Sequence, residues 1–378
     1  MNYIYVMIIF LVFGLAILFA AHFLFYFSII RFFGIEGILF RKILAWILAI
    51  LAVSFFFSMF LVQWKDFFLT RAIYFLSGLW LGFLFYLLLA LAAVWLIFWA
   101  GRIFDFDASR AVLGVVFFSA AFLFSVYGVW NAFNPKLRDI SVVIPDLPAV
   151  WQGRKIVQIS DTHFGAIFRD SFAENLVEKV NSIHPDAVFI TGDLLDIEDG
   201  DFGSLADILN KIEAPRGIFF ITGNHETYIG VGQADEILSK TKVKILKDEV
   251  VDLEGLKIIG INYPERNQKK DIVETVKKFQ KDFNGKPNIL LYHSPVYIKQ
   301  FAEMGINLQL AGHVHKGQIF PIEFISKLIY GRYIYGLHKL GNHTVYTTAG
   351  AGSWGPTLRT SGVPEIPVIT LQQSCPLI

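Results

Sequence analysis

Seven side chains of metal-binding types lie in five short clusters of this sequence. In chain order the clusters are Asp161-Thr-His163, Gly192-Asp193, Gly223-Asn224-His225, His293 and Gly312-His313-Val-His315. The candidate ligands within them are Asp161, His163, Asp193, Asn224, His293, His313 and His315. Carboxylates, imidazoles and an amide without a thiolate suit Mn, Fe, Co or Zn better than copper or an iron–sulfur cluster. Together the seven side chains can hold two divalent ions.

Each cluster follows an apolar run rich in β-forming residues. The runs are residues 155–159, 187–191, 217–221, 288–292 and 306–310. If these runs are strands, their carboxyl ends bring the clusters to a common crevice, where open α/β sheets bind their ligands. Within Asp161-x-His163 and within His313-x-His315, an extended backbone would turn both side chains to one face, so that one ion could take both.

The spacing of the first three clusters is that of repeated strand–helix–strand units. Asp193 follows Asp161 by 32 residues, and Asn224 follows Asp193 by 31, each about the length of one βαβ unit. Residues 172–183 and 205–212 carry apolar side chains at three- and four-residue steps, as helices do. Right-handed crossovers would place the strands side by side.

The five clusters resemble the calcineurin-like metallophosphoesterase superfamily, whose pattern runs Asp-x-His, Gly-Asp, Gly-Asn-His, His and Gly-His-x-His. The resemblance covers roughly residues 141–371 and implies an α/β fold, a sandwich of two mixed β-sheets flanked by helices. It also implies two ligand sets joined by a shared carboxylate. One ion would be held by Asp161, His163 and His315, the other by Asn224, His293 and His313, with Asp193 between them. Glu226 stands where this family most often has Asp.

Two divalent ions about 3.5–4 Å apart can share a water, lower its pKa and clamp the oxygens of a phosphoryl displacement. The chemistry indicated is therefore phosphoester hydrolysis by a hydroxide activated between two metal ions. His225, which is not needed as a ligand, is the candidate proton donor to the leaving group, and the resemblance supports this role. Asp196 either orients a ligand His or is a carboxylate of a surface loop.

Residues 348–359 contain three glycines and end in Arg359. Backbone amides and a guanidinium in such a stretch can approach an anion closely. The stretch resembles the end of the membrane-associated bacterial branch of the superfamily. Arg359 is therefore a candidate for binding substrate phosphate, and the alternative is an ordinary surface Arg.

Residues 1–134 have a different composition from the rest of the chain. They hold seven Lys/Arg and four Asp/Glu, whereas residues 135–378 hold 26 and 28. Apolar runs at about 4–30, 43–62, 72–100 and 111–130 each meet the roughly 20 residues that a membrane-spanning helix needs. The sequence thus predicts a four-helix transmembrane domain over 1–134 and a metallophosphoesterase domain over 135–378. Because no Lys or Arg precedes the first run, a cleaved signal peptide is disfavoured.

The transmembrane domain looks like an anchor. His22 is the ionisable residue well inside a span, whereas a transport path would normally contain several. Gly78-x-x-x-Gly82 could pack helices closely, within the bundle or across a dimer. Five basic residues in the loops opposite the catalytic domain, against four near the membrane on its own side, weakly favour an extracytoplasmic enzyme. The single Cys, Cys375, excludes an internal disulfide framework.

Two further features bear on the substrate. Residues 135–378 have a net charge of about −2, so they lack the excess of positive charge that a nucleic-acid-binding domain usually has. Residues 318–337 are unusually apolar and aromatic, which suits either a lipid-facing lip or, as apolar runs more often do, burial in the core. The sequence therefore predicts a membrane-anchored phosphoesterase acting on a phosphate ester or pyrophosphate, with a lipid-linked substrate as one option. Its oligomeric state is open.

The alternative is a catalytically silent membrane sensor or scaffold that keeps the fold. A silent homologue should have lost ligands, and all seven are present. Four other histidines stand outside the clusters and are expected to be surface or satisfied core residues. They are His22, His184, His338 and His343.

Overall fold

The computed structural model describes residues 3–196, 202–265 and 268–373. The chain divides into two compact units, Met1–Val129 with Gly355–Leu358, and Trp130–Trp354 with Arg359–Ile378. Cys375 lies outside the described residues. The sequence predicts this boundary at 134/135 and places residues 355–358 in the second domain, whereas the compact units divide after Val129 and place Gly355–Leu358 with the helices.

The first unit consists of four long apolar helices. They are α1 (Tyr3–Phe33), α2 (Ile38–Trp64), α3 (Phe68–Phe104) and α4 (Arg110–Ala132). Each has a membrane-length stretch whose mean hydropathy is between 2.1 and 2.6, which confirms the prediction of four apolar helices. α3 extends beyond the predicted 72–100 at both ends, through Arg71 and Arg102, because arginine is a good helix former and does not interrupt the helix.

Polar side chains inside this unit are paired between helices. Trp80 Nε1 donates to His22 Nε2 at 2.9 Å, and His22 Nδ1 lies 2.7 Å from the carbonyl oxygen of Leu18. The hydroxyls of Ser58 and Ser77 lie 2.6 Å apart and join α2 to α3. Such bonds hold helices together where no water is present. His22 is therefore a satisfied core residue.

Gly78 and Gly82 of α3 pack against the loop Gly355–Leu358, and Gly78 also packs against α2. A Cβ atom on Gly82 would lie 3.3 Å from Pro356 Cβ and 3.4 Å from Leu358 Cδ1, while one on Gly78 would lie 3.7 Å from Phe55 of α2. The glycines thus leave room for Gly355–Leu358 beside α3. This contact explains why the segment belongs to the helical unit.

The second unit contains two six-stranded mixed sheets. The first has the strand order β1 (Lys136–Ile144), β12 (Glu365–Gln373), β2 (Lys155–Ile159), β3 (Ala187–Thr191), β4 (Ile218–Ile221), β5 (Val243–Ile245). The second has the order β10 (Gly336–Leu340), β11 (His343–Thr347), β9 (Leu308–Ala311), β8 (Asn288–Leu291), β7 (Leu256–Gly260), β6 (Glu249–Leu253). β2, β3 and β4 are parallel neighbours, as the crossover argument predicted.

The helices of this unit cover the outer faces of the sheets, except the last helix, none of whose residues is buried. They are α5 (Asp170–Asn181), α6 (Leu205–Leu209), α7 (Asn224–Ile229), α8 (Val231–Leu238), α9 (Ile272–Lys278), α10 (Gln280–Phe283), α11 (Ile298–Glu303) and α12 (Glu323–Tyr330). In β2, Ile156 packs between the two sheets, whereas Val157 and Ile159 pack against α5 and α6. Because strands alternate their side chains, one run of apolar residues supplies two cores. The predicted sandwich flanked by helices is confirmed.

The predicted strands match the observed ones closely. β2 and β3 have the predicted bounds, β4 and β8 are each one residue shorter, and β9 begins and ends later than 306–310. The predicted helices 172–183 and 205–212 correspond to α5 and α6. β8 and β9 lie in the second sheet, so the clusters meet where the carboxyl ends of strands from both sheets converge.

Candidate metal centre

All five clusters lie in loops or helix starts that directly follow a strand. Asp161 and His163 follow β2, Asp193 follows β3, and Asn224 opens α7 after β4. His293 follows β8, and the His313–His315 pair follows β9. The strands therefore deliver the seven candidate ligands to one place.

The backbone of these loops is not extended. Asp161, His163, Asp193, His313 and His315 all have φ between 49° and 73°, a left-handed region that such residues seldom adopt. The sequence-based prediction that both side chains of each pair bind one ion assumes an extended backbone. That assumption about the backbone is wrong. Asp161 and His163 still share a group of ligands, but His313 and His315 lie in different groups.

Three groups of described His and Asp side chains have candidate ligand atoms within 4.8 Å of one another. They are Asp161, His163 and His315; His163, Asp193 and His225; and Asp193, His293 and His313. The first and third correspond to the two ligand sets implied by the resemblance, and Asn224 Oδ1 joins the third at 2.7 Å from His313 Nδ1. The structure thus brings all seven predicted ligands together.

The ligand atoms crowd one another closely. His163 Nε2 lies 3.0 Å from His315 Nε2, and His315 Nε2 lies 3.3 Å from Asp161 Oδ1. Ser160 Oγ and the backbone N–H of His313 donate to the carboxylate of Asp161 at 2.5 and 2.9 Å. These donors fix the Asp161 side chain in its buried position.

His293 carries the clearest sign that the residues fit a cation. Its Nδ1 lies 2.7 Å from the carbonyl oxygen of Thr191, which requires the proton on Nδ1. The buried Nε2 lies 3.1 Å from Asp193 Oδ2 and has no other hydrogen-bond partner among the described residues. A nitrogen lone pair beside a carboxylate oxygen needs a cation or a proton between them. A backbone carbonyl that orients a His in this way is typical of metal ligands.

The charges at this point support the same interpretation. Burial lowers the pKa of His293, but the charge and hydrogen bond of Asp193 outweigh burial and raise it to about 10. Burial raises the pKa of Asp193, and His293 reverses this and holds it well below its usual range. The negative charge of Asp193 therefore favours a positive charge at His293 Nε2.

Gly192 is required by the close approach of three loops. A Cβ atom on it would lie 2.5 Å from the backbone nitrogen of Gly223 and 2.8 Å from His293 Nδ1, and its φ is +90°. Any larger residue would push Asp193 and His293 apart.

Glu226 holds the loops of the centre, a role that the sequence did not reveal. Its buried carboxylate accepts hydrogen bonds from four backbone N–H groups, those of Asp193, Leu194, Leu195 and Gly223, at 2.7 to 3.1 Å. A signal was present, because an acidic residue three positions after a helix-starting residue often bonds back to it. The change from the family's usual Asp thus leaves the ligands in place.

Asp196 lies beside the histidines and is only partly exposed. Its Oδ1 is 2.9 Å from His225 Nδ1 and 3.5 Å from His163 Nδ1. Burial disfavours its charge, but the hydrogen bonds of His163 and His225 outweigh burial and lower its pKa to about 2. These contacts favour the role of orienting histidines over that of a surface carboxylate.

His225 lies at the more open side of the centre. Its ring centroid is 4.4 Å from that of His163, and the rings of Tyr228 and Trp354 lie 5.6 and 6.4 Å away. Because Asp196 takes Nδ1, Nε2 is the nitrogen left for a substrate. Burial lowers its pKa, and the bond to Asp196 together with the charge on Asp193 raises it to about 9.

The contacts of Arg359 favour another role than the predicted binding of substrate phosphate. The side chain is fully buried, and its guanidinium donates to the carbonyl oxygens of Gly352 (3.0 Å) and Ala349 (2.5 Å) and to His315 Nδ1 (2.7 Å). A cation at His315 Nε2 would need the proton on Nδ1, which would leave Arg359 the two carbonyl acceptors. Arg359 is thus neither exposed nor directed at solvent.

The Gly-rich stretch likewise supports the loop of Asp161. The N–H of Ala351 donates to Ser160 and that of Gly352 to Asp161, at 2.9 and 2.8 Å. These amides are therefore bonded to protein and not aimed at an anion. By fastening Ala349 and Gly352, Arg359 holds this stretch against the metal-binding loop.

The remaining histidines of this unit lie apart from the centre. His343 is buried with Nδ1 3.0 Å from the carbonyl oxygen of Ile306, His338 Nε2 lies 2.9 Å from that of Tyr335, and His184 is exposed. His184 is a surface residue, as predicted, and His338 has a backbone partner, whereas the buried Nε2 of His343 has no hydrogen-bond partner among the described residues.

Comparison with known proteins agrees with this geometry. Residues 154–317 match the model of the calcineurin-like phosphoesterase family. An uncharacterized metallophosphoesterase of Campylobacter jejuni is 33% identical over 269 residues, 69% of this chain and 71% of that protein. One of Helicobacter pylori is 32% identical over 276 residues, 71% and 74% of the two chains. A transmembrane protein with a metallophosphoesterase domain from Danio rerio is 31% identical over 274 residues, 66% and 60%. The chain belongs to the calcineurin-like phosphoesterase family.

Proposed function

We propose that the protein is a membrane-anchored hydrolase of phosphate esters or pyrophosphates that requires two divalent ions, drawn from Mn, Fe, Co and Zn. The observation that carries the proposal is the convergence of the seven ligand side chains, among which the buried Nε2 of His293 has no hydrogen-bond partner besides Asp193. Bound there, the ions would supply an acidified water and charge stabilisation for phosphoryl oxygens.

Other roles in the proposed reaction fall to side chains: balancing charge, donating a proton and supporting the loops. Asp161 and Asp193 offset part of the positive charge, so that an anionic substrate is still attracted. Asp196 holds His225 by its Nδ1 atom at 2.9 Å, which leaves Nε2 to donate a proton to the leaving oxygen. Glu226 and Arg359 hold the loops that carry the ligands in position by hydrogen bonds to their backbone or to the stretch packed against them.

The first domain, residues 1–134, serves as the membrane anchor of the catalytic domain, residues 135–378. Four spans place the N-terminus and the catalytic domain on the same side of the membrane, and the basic residues favour the extracytoplasmic side. A cysteine at the exposed position Lys240, in a Cys375→Ser background, tests this topology. It should react with a membrane-impermeant maleimide in intact cells, and reaction only after permeabilisation would reverse the orientation.

A screen of metals against substrates tests the function. Purified protein loaded with each of the four metals should be offered aryl phosphate monoesters and diesters, and lipid-linked pyrophosphates. We expect turnover of at least one class with Mn or Co. A metal-loaded protein that hydrolyses none of them would favour the silent sensor or scaffold, against which the intact ligand set now argues.

A further inference from the structure

The segment after the last ligands carries a concentrated exposed apolar surface. Fifteen large apolar or aromatic side chains are exposed among the described residues of 130–354 and 359–373, and six of them fall within the ten residues 320–329. An even distribution would place fewer than one there. The expectation that this segment is packed into the core is therefore wrong for 320–329, since no residue of α12 is buried.

The orientation of α12 is the reverse of that in a water-exposed helix. Phe324, Ile325, Leu328 and Ile329 form one stripe and are 55, 58, 86 and 71% exposed. The opposite face is turned to the protein, where Glu323 accepts a hydrogen bond from Ser361 Oγ. A helix at a water surface buries its apolar stripe and exposes its polar one. The apolar stripe of α12 therefore has no cover among the described residues of the chain.

α12 also lies next to the metal centre. It begins eight residues after His315, and the ring of Tyr330, its last residue, lies 6.1 Å from that of His313. These residues all belong to the second unit, so the apolar stripe lies on a helix that contacts a ligand of the centre.

We propose that α12 lies in the interface of the lipid bilayer with its apolar stripe inserted, and that the centre takes its phosphate from the head of a membrane lipid. The second part rests on the proposed function. The chain has four helices long and apolar enough to cross a membrane, so a bilayer would be available to α12. Lys327, exposed beside the stripe, suits the headgroup layer, as basic residues of interfacial helices do.

A second copy of the chain fits this surface less well. The stripe and its neighbours Phe320 and Ile322 are six exposed side chains, whereas a stable protein interface takes roughly 20–30 residues on each side. A helix with large apolar residues on one face and polar residues on the other is what an interfacial segment requires.

Labelling of the full chain tests the insertion without any need for activity. In a Cys375→Ser background, Leu328→Cys and, separately, Ile325→Cys carry an environment-sensitive fluorophore in phosphatidylcholine vesicles. The control is Lys240→Cys, an exposed site outside this region. We expect spin-labelled lipid to quench the fluorescence of labels at 328 and 325, and aqueous iodide to leave it unquenched. For the label at 240 we expect quenching by iodide and none by spin-labelled lipid.

Two results would overturn the insertion. Labels at 325 and 328 quenched by iodide as strongly as the label at 240 would place the stripe in water. Labels protected from both quenchers, with protection that grows with the protein-to-lipid ratio, would place a second copy of the chain on it.

A matched pair of substrates tests the delivery of lipid phosphate. Hexadecyl p-nitrophenyl phosphate in vesicles and methyl p-nitrophenyl phosphate in solution share the reacting group and differ in the chain. We expect kcat/KM to favour the hexadecyl ester by about tenfold or more, and Leu328→Glu with Ile329→Glu to abolish that preference while changing the methyl ester by less than about twofold.

The outcomes separate this inference from the proposed function. An equal loss on both esters, or a wild type without preference, would contradict delivery from the membrane. Hydrolysis of neither ester would refute the diesterase activity on which this form of delivery depends, and the quenching result would still decide where α12 lies.

Discussion

His293 Nε2 lies 3.1 Å from Asp193 Oδ2, although His293 follows a strand of one sheet and Asp193 a strand of the other. An electrostatic contact between these two side chains thus joins the two sheets at the carboxyl ends of β3 and β8. Asp193 also belongs to a second group of candidate ligands, with His163 and His225, and His163 in turn belongs to the group of Asp161 and His315. The pair therefore lies at the middle of the proposed centre, and changes at either residue should affect both ions.

Asp193→Asn should lose both ions or the coupling between them, because a neutral amide cannot bridge two cations as a carboxylate does. Elemental analysis of the purified variant measures the loss. Asp207→Asn, at an exposed position on α6, is the matched control and should keep its metal. Full metal content in the Asp193 variant would contradict the bridging role.

His225→Ala and His225→Asn should keep nearly the wild-type amount of metal while turnover falls by roughly 10²–10⁴-fold, the usual scale of a lost general acid. The fall should be smaller for esters with good leaving groups, which need little protonation. His184→Asn, an exposed histidine, serves as the control. A His225 variant stripped of metal would instead make this residue a ligand, as its place in one group of candidate ligands allows.

Arg359→Lys should weaken metal binding by about 10–100-fold, as losses of residues that support metal ligands do, because one ammonium cannot hold both Ala349 and Gly352. At saturating metal its KM should stay near the wild-type value. A titration of activity with Mn at several substrate concentrations separates the two effects, with Arg332→Lys as the exposed control. A raised KM with unchanged metal affinity would restore Arg359 as a contact to substrate phosphate.

Glu226→Gln should lower both the free energy of unfolding and the affinity for metal. An amide presents an NH₂ group to backbone N–H donors that a carboxylate oxygen now accepts, and each bond to a charged group contributes about 1.5–3 kcal/mol. Thermal denaturation with and without chelator measures the first effect. Glu236→Gln, exposed on α8, should leave both quantities unchanged. If the Glu226 variant melts as the wild type does, the four hydrogen bonds are not supporting the loops.

The sequence predicted the strands and the ligands well because both depend on local pattern. β2 and β3 are unbroken apolar runs, and strands covered on both faces require such runs. The ligands are hydrophilic residues placed directly after those runs, so their convergence follows once the strands are parallel.

Features that depend on distant contacts were not predictable in this way. The left-handed backbone of Asp161 is held by bonds such as that from its N–H to the carbonyl oxygen of Gly192, 31 residues later. The burial of Arg359 needs carbonyl acceptors in a folded loop. The outward stripe of α12 has the same periodicity as a buried one, so composition alone could not tell its direction.

The most direct test of the account measures metal content and turnover on the same preparation. Purified protein should contain two divalent ions per chain, and should hydrolyse an aryl phosphodiester or monoester. Removal of the ions by a chelator should abolish the hydrolysis, and Mn or Co should restore it, because the seven ligands place water activation at the metal centre. Undiminished turnover by the metal-free protein would contradict the account.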